Sequence, residues 1–162
     1  MAGLTSWARA LLEGRHYAML ATQDADGSLH QTPVWYLFRD DQLFVGCQSS
    51  SRKARNVMAR PTASLVVDTR KPGAERWVAG AGPVTIIRGE ESQKLVRAIQ
   101  ERYLTPEALA DPRVGPGFAA ADDVTLNIRP ARWRSWSGGD LDAQFFGGLL
   151  SASPEKWFRP VD

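Results

Sequence analysis

The stretch Gln48-Ser-Ser-Ser-Arg-Lys-Ala-Arg-Asn-Val-Met-Ala-Arg-Pro-Thr-Ala-Ser-Leu-Val-Val-Asp68 passes from a serine run into a short basic helix, a proline stop and a strand. Ser49, Ser50 and Ser51 offer hydroxyl and backbone donors where the helix begins. Unpaired N–H groups and the positive end of the helix dipole make that place favourable for an anion. Arg52, Lys53 and Arg55 add charge to the same turn. Ala54, Val57 and Met58 stand at i, i+3, i+4, so one face of the helix can be buried while the basic side chains stay outside. A serine cap on an ordinary surface helix is the plain alternative. Cations crowded at the positive end of a dipole cost free energy, however, and an anionic ligand is the simplest compensation.

Outward from this stretch, strands dominate. Residues 43–47 lead into the serine run, and residues 63–67 alternate after Pro61. Residues 17–22 form a short apolar run before the turn Asp24-Ala25-Asp26-Gly27, whose residues tolerate positive φ. The strand expected over 28–38 contains Pro33, which removes a ladder hydrogen bond, so the strand is expected to bend or open there, or else to lie at an edge. Such an opening would leave backbone groups free for a flat heterocycle. A long strand over 75–88 carries Gly80 and Gly82 on one face, as barrel curvature requires. Val124, Leu126 and Ile128 alternate, and after Pro130 residues 131–137 form an aromatic and basic strand.

Helices are expected at Leu4–Leu12, capped by Thr5 or Ser6 and stopped by Gly14, and over 90–103. A weaker helix starts at Pro106 and fades before a Gly115-Pro116-Gly117 loop. The chain therefore reads as mainly β with flanking helices, a six- to seven-stranded antiparallel barrel, closed or nearly so. Residues 1–140 make the barrel. Residues 141–162, with Phe145, Phe146, Leu149, Leu150, Trp157 and Phe158, make a tail too apolar to float free, which packs on the barrel or on a second subunit.

The 162 residues fit one domain, and 43% hydrophobic with 23% charged residues is ordinary globular composition. A net charge of +2 is small for a nucleic-acid protein and suits a small anionic ligand better. Cys47 is the single cysteine, so no intrachain disulfide and no cysteine zinc site can form. No membrane span or basic-apolar leader is seen, which makes the cytoplasm the expected compartment. No G-x-G-x-x-G, P-loop, H-E-x-x-H or G-x-S-x-G spacing occurs. His16 and His30 are far apart and read as surface or satisfied polar residues.

Residues 17–22 (Tyr-Ala-Met-Leu-Ala-Thr), Asp26-Gly27, 32–36 (Thr-Pro-Val-Trp-Tyr), 51–57 (Ser-Arg-Lys-Ala-Arg-Asn-Val) and 61–68 (Pro-Thr-Ala-Ser-Leu-Val-Val-Asp) together resemble the pyridoxamine 5′-phosphate oxidase-like split β-barrel flavoproteins, in particular their flavin/deazaflavin oxidoreductase branch. The resemblance covers about 11–134 and rests on the ordered set of motifs. It implies a homodimer with two cofactor sites at the interface, holding FMN or, alternatively, the deazaflavin F420. It implies Lys53 as the phosphate lysine, with Ser49, Ser50 and Ser51 lining the phosphate loop; Arg52 and Arg55 are cofactor-binding candidates from their charge on the same turn. It also implies Thr32, Pro33 and Val34 along the isoalloxazine edge, mostly through backbone.

Trp77 and Trp133 are candidates for contacts to the ring or the substrate, within one subunit or across the dimer, with the barrel core as the other place for them. The activity implied is hydride transfer between the bound cofactor and a small organic substrate, with no catalytic side chain required. Residues 141–162 lack the basic clamp of true pyridoxamine 5′-phosphate oxidases, so oxidation of that substrate is not expected. A cofactor carrier without turnover, or a haem protein using His16 or His30, are the other classes such a barrel serves.

Overall fold

A computed structural model describes residues 3–160; residues 1–2 and 161–162, the ends of the expected barrel segment and tail, lie outside it. Helix α1 (Ser6–Glu13) is capped by the Thr5 side chain, which accepts from the Ala8 amide, and its buried face is Ala8, Leu11 and Leu12. Strand β1 (Ala18–Gln23) alternates buried and exposed residues and turns at Asp24–Gly27 into β2 (Leu29–Val34). The strand expected over 28–38 is split. The ladder stops after Val34, skips Trp35 and Tyr36, and resumes as β3 (Leu37–Arg39), which pairs with β4 (Gln42–Gln48).

Pro33 itself stays in register opposite Met19. It is tolerated because β2 ends the sheet path and pairs only with β1, so no second ladder needs its missing N–H. The opening therefore lies just past the proline. Helix α2 (Arg52–Ala59) and β5 (Thr62–Thr69) follow, then β6 (Arg76–Ile87) and α3 (Gly89–Tyr103). Two short helices, α4 (Pro106–Ala110) and α5 (Gly115–Ala119), lead to β7 (Asp123–Ile128) and β8 (Arg132–Ser137). The Gly115-Pro116-Gly117 segment, expected as a loop, starts α5: proline is at home in a first helical turn, where its missing N–H has no intrahelical partner to lose.

All pairings are antiparallel, in the order β2-β1-β5-β6-β7-β4-β3, with β8 added on β6. The two ends of this path, β2 and β3, are consecutive in the chain. The sheet thus curls round and is split where Trp35 and Tyr36 leave the ladder. Strand β6 makes the turn possible by changing partners along its length, pairing with β8 through Ala81 and with β7 from Val84. At that corner a Cβ on Gly82 would stand 2.1 Å from the Arg129 carbonyl oxygen, so only glycine fits.

The core inside the curl contains Leu12, Leu20, Leu43, Val45, Leu65, Val67, Val78, Leu126 and Ile128. Tyr36 is wholly buried among them, and its hydroxyl donates to the carbonyls of Leu12 (2.9 Å) and Gly14 (3.2 Å), which satisfies the polar end of a core aromatic. Outside the sheet, Leu95 and Ile99 of α3 pack on Phe44 with Trp35, Leu37 and Tyr103. The segment after β8 forms α6 (Gly138–Phe146), α7 (Leu149–Ala152) and α8 (Pro154–Trp157). Buried Asp142 accepts from the amides of Leu150 (3.1 Å) and Ser151 (2.7 Å), tying α6 to α7. Phe145, Phe146, Leu149 and Trp157 remain half exposed or more.

Candidate functional site

Beside the split lies a groove of about 440 Å³, lined by Tyr17, Pro33, Val34, Trp35, Gly46, Cys47, Gln48, Ser51 and Lys53. Four pieces of chain build it, one of them Tyr17 just before β1. The end of β2 and the break after it supply Pro33, Val34 and Trp35. The end of β4 supplies Gly46, Cys47 and Gln48, and the start of α2 supplies Ser51 and Lys53.

Helix α2 starts as its sequence indicates: Ser51 is extended, and its hydroxyl accepts from the Ala54 amide at 3.4 Å. The amides of Arg52 and Lys53 lie in the first turn, where no intrahelical carbonyl is available to them. Lys53 is half-buried, and among the described residues it forms no ion pair. A cation drawn partly out of water with no ion-pair partner is a favourable neighbour for an anion. Cys47 is buried behind it. Burial raises its thiol pKa, with the Ser51 hydrogen bond and the Lys53 charge opposing, so it is a small apolar wall here.

The neighbouring basic side chains are used otherwise. Arg52 turns away and binds Asp24 through Nε (2.8 Å) and a terminal nitrogen (2.7 Å), and Asn56 also donates to that carboxylate at 2.9 Å. The Arg52 hydrogen bonds, with those from Asn56 and Ser28, hold the Asp24 pKa down at about 2. Asn56, donating to Thr22 as well (3.1 Å), joins Ala54 and Val57 on the buried face of the helix, whereas Met58, expected inside, is 51% exposed. Helix α2 is thus bolted to the β1–β2 turn. Arg55 donates to the Ser50 carbonyl, and Arg60 to the Ala25 carbonyl at 3.3 Å. Ser49 is engaged with Asp122 through both its amide (2.9 Å) and its hydroxyl.

Of the residues named from sequence, Pro33, Val34, Ser51 and Lys53 meet in this groove. Ser49, Ser50, Arg52 and Arg55 surround the helix start without lining it. Thr32 stands next to the lining with its hydroxyl oxygen buried and unpartnered. Trp77 lies elsewhere, in a second groove of about 780 Å³ on the outer face of β5, β6 and β8, with Val66, Ala79, Ala81, Arg132 and Arg134. Trp133 faces inward, edge-on to Phe38 (6.1 Å, 88°) and over Gly80, as part of the barrel packing. His30 sits in β2 opposite Thr22, and His16 precedes β1.

The aromatic walls, Tyr17 and Trp35, are the residues sequence reading passed over. Their signal was position: Trp35 follows Thr32-Pro33-Val34 directly, where a broken ladder turns a side chain into the opening. Tyr103 of α3 packs on both, stacked on Trp35 and tilted on Tyr17 (6.1 Å). Among the described residues no group of His, Cys, Asp or Glu could hold a metal ion, and no helix is long and apolar enough to cross a membrane.

An antiparallel barrel split at one strand, with a basic helix start facing the split, defines the architectural class. The family model described as pyridoxamine 5′-phosphate oxidase matches residues 4–137, and the chain belongs to that family. Among solved structures, a conserved hypothetical protein of Mycobacterium tuberculosis is similar at 25% identity and a TM-score of 0.69, over 87% of this chain and 88% of that one. A protein described as an F420 reductase matches at 23% identity and a TM-score of 0.62 (81% and 98% covered). HutZ, the heme storage protein from Vibrio cholerae, matches at 16% and 0.63 (85% and 96%). The last two likenesses speak for the fold. Comparison with curated proteins finds no match.

Proposed function

We propose that the chain is an oxidoreductase that binds FMN in the Lys53 groove and transfers a hydride between it and a small organic substrate, working as a homodimer. The observation that carries this reading is the half-buried, unpaired Lys53 facing the Pro33–Trp35 wall across one groove. The residues present suit the group: Lys53, Ser51 and the first-turn amides would take the phosphate. The Pro33 and Val34 backbone with the rings of Tyr17 and Trp35 would take the flat heterocycle. The bound flavin would supply the hydride chemistry, and the protein would orient it, shield it from water and set its electrostatics.

FMN is preferred to F420 because its one terminal phosphate can be met by Lys53, Ser51 and the first-turn amides alone, whereas a phosphodiester with an oligoglutamate tail calls for further cations. Of those nearby, Arg52 is already paired with Asp24. A homodimer is proposed because Trp77 and Lys53 line different grooves of one chain and would share a site only across two copies. The outer sheet face that carries Trp77 is apolar over Val66, Ala79 and Ala81, with Trp136 exposed on the same sheet.

The test is a competitive titration of cofactor-free protein with FMN and F420 at physiological salt, followed by turnover of the reduced form with candidate acceptors. FMN is expected to bind at least as tightly as F420. Tenfold tighter F420 binding would replace the cofactor, binding of neither would remove the oxidoreductase reading, and stoichiometric binding without turnover on any acceptor would make the protein a carrier.

A further inference from the structure

The Lys53 groove does not end at its aromatic wall. Tyr17 and Pro33 are shared with an adjoining third cavity of about 450 Å³, whose other walls are Arg15, His16, Ala18, Met19, Asp68 and Arg70. We propose that this lobe is the substrate site and that it selects an organic acid, holding a carboxylate on Arg15 and Arg70. This rests on the reading that the cofactor lies in the Lys53 groove.

Charge supports the assignment. Two guanidinium groups face one carboxylate. Asp68 engages only Nε of Arg70, at 2.9 Å, which leaves the terminal nitrogens of that fork without a partner among the described residues; Arg15 likewise has none. The His16 carbonyl is taken by the Tyr103 hydroxyl, and its ring lies over Gly14. The sheet register places the lobe as well: Ala18 pairs with both Val34 and Val67, so the strand ends carrying Tyr17 and Asp68 meet just past the Pro33 wall. An arginine fork suits a planar carboxylate, and the apolar side of Met19, Ala18, Pro33 and Tyr17 suits the carbon skeleton attached to it.

Connectivity separates this anion from the cofactor's own. In both FMN and F420 every phosphate and carboxylate lies on the ribityl side of the ring, hence toward Lys53. The cations at the opposite end, beyond Pro33, therefore belong to a second molecule, and the shared wall brings that molecule against the ring edge. Arg70 is 75% exposed at its side chain, so water screens part of the attraction and the expected effect is nearer tenfold than a hundredfold.

The experiment uses the full chain loaded with FMN, with benzoate as probe and benzamide as its neutral counterpart, each followed by the change it makes in the flavin absorption spectrum. Benzoate is expected to bind about tenfold tighter than benzamide. In the double variant Arg15→Ala/Arg70→Ala, benzoate should lose about that factor while FMN and benzamide affinities stay as in the wild type. Equal affinities for the two probes, no benzoate binding, or a double variant that binds benzoate like the wild type overturns the proposal. Should the protein fail to load FMN, the cofactor reading falls, and the same pair of probes is titrated against the protein alone by ligand-observed NMR. Benzoate binding that depends on Arg15 and Arg70 there upholds the acid lobe, and its absence removes it.

Discussion

The rings of Trp35 and Tyr103 lie 5.1 Å apart and 2° from parallel, so helix α3 sets the plane of one wall of the groove. The Tyr103 hydroxyl also donates to the His16 carbonyl (2.6 Å) and accepts from the Tyr36 amide (3.4 Å). One side chain thus holds the backbone beside both wall residues, Tyr17 and Trp35, at the point where the sheet is open and no ladder can hold them. Tyr103→Phe keeps the stack and loses both hydrogen bonds, at a cost of about 1–2 kcal/mol in stability. FMN affinity should fall roughly threefold to tenfold as the walls loosen. Denaturant unfolding and flavin fluorescence titration measure the two effects, and unchanged affinity would mean that Tyr103 serves packing alone.

Lys53→Ala removes the unpaired cation facing the groove. The loss of a charge-assisted contact to phosphate is worth ~1.5–3 kcal/mol, or roughly tenfold to a hundredfold in FMN affinity. Stability should hold or rise slightly, because a half-buried charge disappears and no partner is stranded. The comparison with Arg52→Ala is informative. That variant should lose stability first, since Asp24 would be left beneath Asn56 without its guanidinium.

Asp24 gives the fold a pH dependence of definite sign. Its pKa is held at about 2 by Arg52, Asn56 and Ser28, below the unfolded value of about 3.9. The unfolded chain therefore binds the proton more readily, and the stabilisation is present above about pH 4 and lost as pH falls toward about 2. Asp24→Asn should flatten this part of the stability profile. An unaltered acid limb in a pH series of thermal unfolding would assign the acid sensitivity to other carboxylates.

Gly82 is the most closely approached glycine of the barrel strands. A methyl group there would meet the Arg129 carbonyl at 2.1 Å and the Ala131 amide at 2.8 Å, both backbone atoms that cannot swing aside. Gly82→Ala is expected to exceed the ~1–3 kcal/mol typical of overpacking and to leave little folded protein. Gly117→Ala, with nothing within 4 Å of the added methyl, should be neutral or stabilising by up to ~1 kcal/mol within α5. Urea midpoints of the two variants separate a corner glycine from a merely helical one.

The barrel was legible because period-two alternation and turn residues are local signals. Ala18–Gln23, Thr62–Thr69 and Asp123–Ile128 announce themselves within a few residues. The start of α2 was legible for the same reason, as the serine cap and the basic first turn are neighbours in sequence. What stayed hidden depends on partners far along the chain. That Arg52 faces Asp24, 28 residues away, and that Tyr103 supports His16, 87 residues away, are facts of tertiary packing. Pro33 sits in an edge strand, one of the two places expected for it, whereas the break past Val34 is set by partners that no neighbouring residue announces. The helices of the tail escaped because their apolar residues, Phe145, Phe146 and Leu149, follow no amphipathic stripe.

The proposed dimer gives the sharpest test of the whole assignment. Val66 and Trp77 lie in the outer groove of β5, β6 and β8, and neither lines the groove that holds Lys53. If a second copy covers that face and brings its Trp77 to the cofactor, Val66→Arg should produce monomers by sedimentation at micromolar concentration. An arginine introduced on an apolar interface strands a charge that folding of the single chain does not bury. The same variant should weaken FMN by more than about tenfold although every Lys53-groove residue is intact, because half the site has left. Trp77→Ala should weaken FMN while leaving the dimer formed, which separates contact from assembly. A wild-type protein that sediments as a monomer yet binds one FMN per chain, or a monomeric Val66→Arg variant with undiminished FMN affinity, would place the cofactor within a single subunit.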